Sequence, residues 1–132
     1  MLKDKYIEKE KAGKLAEKNN FFNSAVSLYY YNIYLRLKYY LNNKQIQVPV
    51  LEKSSHKTLI ETFKNEIVDE FMKKNKSINF SELKFLNDIQ VLSYRRKLAD
   101  YDENFVFNDK NYTKDFKDYY IEVNKILKSK GI

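Results

Sequence analysis

The chemistry this sequence can offer gathers in one block, Arg95-Arg96-Lys97-Leu98-Ala99-Asp100-Tyr101, at the end of a stretch that begins near Phe80. Two adjacent guanidiniums, Arg95 and Arg96, suit a phosphate clamp, with Tyr101 donating to the phosphate or stacking beside it. Phe85, Ile89, Leu92, Arg96 and Asp100 recur at three- and four-residue steps, so they share one face of an α-helix. Arg96 therefore follows an apolar stripe onto the buried side, where a guanidinium is costly unless something pairs with it. Asp100 lies one turn further on, within reach of it. The simpler reading of the same spacing is an Arg96–Asp100 ion pair that pins a helix end. His56, the single histidine, stands at the start of another helical stretch. It is a second candidate proton carrier, although a lone histidine there serves as readily to cap or pack.

Composition narrows the alternatives. No cysteine is present, which removes thiolate nucleophiles and thiolate metal sites, and one histidine excludes a multi-histidine metal centre. Two glycines forbid the Gly-rich phosphate loops, and neither a P-loop nor a His-Glu-x-x-His run occurs. Neither a metal nor a cofactor is expected. The carboxylate pairs Asp4/Glu8 and Asp115/Asp118 read as solvated helix surface and not as acid/base machinery. A net charge of +7, from 25 Lys/Arg against 18 Asp/Glu, favours a polyanionic partner such as RNA, or else reflects lysine-rich usage alone. The amino-terminal residues lack an apolar signal core, and no apolar run approaches a membrane span. A cytoplasmic protein without a membrane partner is the expectation.

The elements that must position these residues are helical. One proline and two glycines in 132 residues leave few turns, and long Lys/Glu/Leu/Ile segments argue for one all-α domain over residues 1–132. The first helix covers residues 2–18, with Leu2, Tyr6, Leu15 and Ala16 as a thin apolar set, and ends at Asn19-Asn20. Residues 21–42 form the strongest helix, apolar nearly all round and hence central, with Asn32, Arg36 and Lys38 largely off its apolar face. Its band of Tyr29, Tyr30, Tyr31 and Tyr34 reads as core or interface, with a base-stacking platform as the rival view. Residues 43–54 are a connector closed by Pro49, in which Ile46, Val48 and Val50 alternate. Ser54 or Ser55 caps the next helix, 55–73, whose stripe is Leu59/Ile60, Phe63, Ile67 and Phe71. After a polar turn, a helix over 80–101 is capped by Ser81. A loop, 102–111, buries Phe105 and Phe107, and a last helix over 112–129 stops at Gly131.

Three segments also carry a family likeness. Ala25-Val26-Ser27-Leu28-Tyr29-Tyr30-Tyr31-Asn32-Ile33-Tyr34, Ser55-His56-Lys57-Thr58-Leu59-Ile60 and Arg96-Lys97-Leu98-Ala99-Asp100-Tyr101-Asp102 resemble, in order and at similar spacing, segments of small HEPN-domain proteins. The resemblance implies a bundle of about five helices forming a two-fold dimer, with the arginine block of each chain at a shared cleft. It also implies a bacterial toxin–antitoxin or phage-defence setting, frequently beside a minimal nucleotidyltransferase partner. Ribonuclease members work without metal. A ribose 2′-OH attacks the adjacent phosphate, a histidine four to six residues after the arginine moves protons, and the arginine stabilises developing charge. Here Arg95 plus five is Asp100, and no histidine follows within the block.

Two functions follow as expectations. In the first, the chain is a HEPN-family RNA-associated protein and a candidate metal-independent endoribonuclease with an atypical motif. Arg95 and Arg96 hold phosphate, Tyr101 orients the cleft, and Asp100 or His56 carries protons. In the second, it is a non-catalytic helical module that docks a nucleotidyltransferase or a larger complex.

Overall fold

The computed structural model describes residues 1–49, 55–75 and 77–132, and every regular element among them is helical. Helices α1 (Leu2–Lys18), α2 (Phe22–Asn43), α3 (Ser55–Asn75), α4 (Phe80–Tyr101) and α5 (Asp118–Ser129) follow in order, with one π-helical segment (Thr113–Lys117) leading into α5. These spans match the stretches marked out by helical periodicity. Val50 and Ser54, expected in the strand-like alternation and at the cap of α3, lie outside the described residues.

α2 is the axis of the bundle because it has apolar residues to offer in nearly every direction. Ala25, Val26, Tyr29, Tyr30, Ile33, Leu37 and Leu41 are all buried along it, and α1, α3, α4 and α5 each pack on it. Each of the larger aliphatic side chains among them stabilises the fold by roughly 1.5–3 kcal/mol through burial. Aromatic rings fill much of the space between helices. Tyr29 meets Tyr120 at 4.4 Å, and Phe63 meets Phe85 edge-on at 6.3 Å. Tyr29 and Tyr30 are each 1% exposed, so these two rings are core and offer no face to a base. Tyr31 and Tyr34 are half-buried.

Several details depart from the sequence expectation. On α1 the inward residues are Gly13 and Ala16, whereas Leu15 faces solvent. Gly13 is needed there because a Cβ would stand 2.9 Å from Cδ1 of Tyr29. Asn32 and Arg36 are buried, not off the apolar face of α2. They are admitted because they satisfy one another: Arg36 donates to Asn32 Oδ1, Asn124 Oδ1 and the Ile132 carbonyl, while Asn32 donates to the Tyr6 carbonyl and accepts from Tyr120. The cap of α4 is Asn79, whose Oδ1 accepts from the Glu82 amide at 2.9 Å. Ser81 lies inside the first turn.

The last helical segment opens with a π turn in place of regular α-helix, the Asp118 amide reaching back to the Thr113 carbonyl. That turn sits beside Tyr112 and Lys117, both of which bond to Glu17 of α1. The preceding loop buries Phe107, whose amide donates to Asn23 Oδ1 at 2.8 Å, with Phe105 edge-on against it. Gly131, at φ +77°, follows the end of α5 in the left-handed conformation that glycine adopts freely.

Candidate functional site

Arg96 ends the apolar stripe of α4 formed by Phe85, Ile89 and Leu92, and its side chain is only 3% exposed. What surrounds it is mostly aromatic. The guanidinium carbon lies 4.9 Å from the centre of the Tyr30 ring, 5.8 Å from Tyr31 and 5.6 Å from Tyr101. A desolvated cation gains about 2 kcal/mol from such a ring face. Its formal partner is more distant: Nη1 stands 3.7 Å from Asp100 Oδ2 and 3.4 Å from the Tyr101 hydroxyl oxygen. Its Nε is buried and has no hydrogen-bond partner among the described residues. Arg96 is therefore held by three rings and one long ion pair, with donor capacity to spare.

Asp100 and Tyr101 lie where this buried cation reaches the surface. Asp100 Oδ2 also accepts from Ser27 Oγ at 3.3 Å, which ties the end of α4 to α2. Tyr101 turns its hydroxyl toward Arg96 yet remains 72% exposed. The partly covered carboxylate and the exposed phenol thus both border the guanidinium.

His56 joins the same group from α3. Its Nδ1 is 2.8 Å from the Tyr30 hydroxyl, and the Tyr34 ring lies against the imidazole at 4.3 Å. Tyr30 therefore touches both Arg96 and His56. Burial, reinforced by the positive charges of Arg96 and Lys97, holds the His56 pKa below its ordinary value, with Asp100 opposing the shift. The imidazole is accordingly neutral at physiological pH. Burial also pushes the Tyr30 hydroxyl up to about 12, so it keeps its proton.

Arg95 takes no part in this cluster. Its Nε donates to the Asp115 carbonyl at 3.1 Å, and its guanidinium lies over Tyr94. Neighbouring residues on a helix point about 100° apart, so the two arginines diverge and form no shared clamp. Of the residues expected at the site, Arg96, Asp100, Tyr101 and His56 come together and Arg95 does not. Ser27, which was not singled out, completes the site together with Tyr30, Tyr31 and Tyr34, which the sequence offered as core or interface with base stacking as the rival view. Their sequence signal was the tyrosine band on α2, but spacing within one helix does not say which rings meet another helix.

The arrangement offers a neutral imidazole, a carboxylate and a phenol over a buried guanidinium, a set suited to binding an oxyanion and moving a proton beside it. A cavity of about 150 Å³ adjoins it between α3 and α4, lined in part by Lys57, Glu61, Gln90, Ser93, Tyr94 and Lys97. Among the described residues no three His, Cys, Asp or Glu side chains are grouped to hold a metal ion. No described helix is long and apolar enough to cross a membrane. Comparison with family models, curated proteins and solved structures finds no match to this chain.

Proposed function

We propose that this is a HEPN-like, RNA-associated protein of a bacterial toxin–antitoxin or phage-defence module. In this reading it works as a two-fold dimer and meets RNA phosphate at the Arg96–Asp100–Tyr101–His56 cluster. The observation that carries the reading is the convergence on Tyr30 of His56 from α3 with Arg96 from α4, beneath Asp100 and Tyr101. The net charge of +7 agrees with a polyanionic ligand. The chemistry proposed is metal-independent cleavage. The ribose 2′-OH attacks the adjacent phosphorus as the bond to the 5′-oxygen breaks, and that oxygen takes a proton from solvent, leaving a 2′,3′-cyclic phosphate and a free 5′-hydroxyl. Asp100 is the carboxylate available to take the 2′-OH proton, Tyr101 is a donor to the phosphate, and Arg96 supplies positive potential from below.

Incubating the purified protein with total RNA in EDTA, beside D100N and Y101F, tests this. Cleavage that survives EDTA, ends in cyclic phosphate and falls at least tenfold in D100N is expected, within the usual contribution of a general base. Intact RNA under the same conditions would count against cleavage and favour a docking module for a nucleotidyltransferase or a larger complex. One observation speaks for that second reading. Arg96 is already enclosed, while Tyr94 and Tyr101 present 58% and 72% of their surface to solvent, as aromatic anchors of a protein interface do.

A further inference from the structure

The hydrogen bond between Tyr30 and His56 constrains which imidazole nitrogen carries the proton. Tyr30 is 1% exposed, so its hydroxyl proton must be given to a protein acceptor. Arg96, against its ring, has only donors to offer. Among the described residues the hydrogen-bond partner of the Tyr30 hydroxyl is His56 Nδ1. The hydroxyl proton then goes to His56 Nδ1, 2.8 Å away, and the neutral imidazole carries its own proton on Nε2. Nε2 has no hydrogen-bond partner among the described residues.

Tyr30, Tyr31 and Tyr34 from α2 face this imidazole, and the charges of Arg96, Lys97 and Asp100 on α4 act on it. Lys57 follows it on α3. Lys57 and Lys97 both line the 150 Å³ cavity between α3 and α4, and neither makes an ion pair among the described residues. Glu61 shares the lining, so the two lysines leave one net positive charge there.

We propose that this cavity and the neighbouring His56, which is not itself part of the lining, together form a phosphate-binding position. His56 serves in it as a hydrogen-bond donor through Nε2–H, Lys57 and Lys97 flank it, and the ligand is one phosphodiester group of single-stranded RNA. The proposal rests on the RNA-associated reading above and changes the part His56 plays in it. With Nδ1 occupied and Nε2 protonated, His56 has no free lone pair. It orients the phosphate and leaves proton abstraction to Asp100. Tyr30 is a positioning residue, acting only through the tautomer it imposes.

Two measurements test this. The chain has one histidine, so a long-range nitrogen–proton spectrum of the free protein near neutral pH reports its tautomer without assignment. Protonated Nε2 with bare Nδ1 is expected, and the reverse would overturn the proposal. The second is fluorescence anisotropy with a 2′-O-methyl oligouridine, which resists cleavage, across a salt series. H56A should bind about five- to tenfold more weakly, the loss of one hydrogen bond, with the dependence of log K on log salt unchanged. H56Q, which keeps an N–H near the position of Nε2, should recover part of that loss, and it remains informative if H56A folds poorly. K57A and K97A should each flatten the salt slope by roughly 0.7, one phosphate contact on a single strand. Wild-type binding that is indifferent to both His56 variants would overturn this position and leave the RNA reading standing. A wild-type protein that binds no oligonucleotide would overturn both.

Discussion

Arg96 shows how a charged residue can be both buried and weakly bonded. The alternation of Phe85, Ile89, Leu92 and Arg96 along α4 drives it inward, and three tyrosine rings stand in for most of the hydration it gives up. R96A would remove the cation and leave a cavity among those rings, at a cost of about 2–4 kcal/mol, visible as a lower melting temperature. R96M, which refills much of the volume without a charge, should restore most of that loss, because Asp100, its side chain 23% exposed, keeps the Ser27 hydroxyl as a donor and some access to water. Equal destabilisation by both variants would mean that the charge, not the packing, holds the cage together. His56 adds a pH dependence of known sign. Its folded pKa lies below the free value near 6.5. Between those two values the unfolded chain binds a proton that the folded chain refuses. Stability therefore falls as pH drops through that window and is untouched by His56 above it. Melting temperatures at pH 7.5 and pH 5 should differ more for the wild type than for H56Q; identical differences would show that the imidazole titrates freely in the fold.

The helices themselves were legible from period and punctuation. Leu59, Phe63 and Ile67 repeat as a buried stripe on α3, Asn19-Asn20 ends α1, and of the two loop aromatics expected inside, Phe107 is buried and Phe105 half-buried. What the period did not reveal is contact between helices. Leu15 looked like a core residue of α1, but the close approach of α1 to α2 is made at Gly13, where a side chain would have collided with Tyr29. G13A makes this measurable. In a free helix the change gains about 1 kcal/mol, whereas here overpacking against a buried ring costs roughly 1–3 kcal/mol. A lower melting temperature is the expected net result, and a higher one would mean that α1 moves away from α2 without loss. Arg36 was obscured in a similar way, since its partners Asn124 and Ile132 lie at the far end of the chain. The candidate site was half legible for the same reason. Arg96, Asp100 and Tyr101 belong to one helix and could be seen together, whereas their meeting with His56 and Tyr30 depends on how three helices are placed.

At the scale of the whole molecule, α2 serves two ends at once. Its buried tyrosines hold the bundle together, and one of them, Tyr30, links the cation of α4 to the imidazole of α3. RNA, on the proposed reading, is met at this junction. The most direct test is to titrate isotope-labelled protein with a 2′-O-methyl oligouridine and follow amide and side-chain shifts residue by residue. His56, Lys57, Lys97 and Tyr101 should move first and furthest, with Arg95, on its separate contact to Asp115, moving little. Shifts centred on another face, or none at all, would contradict it.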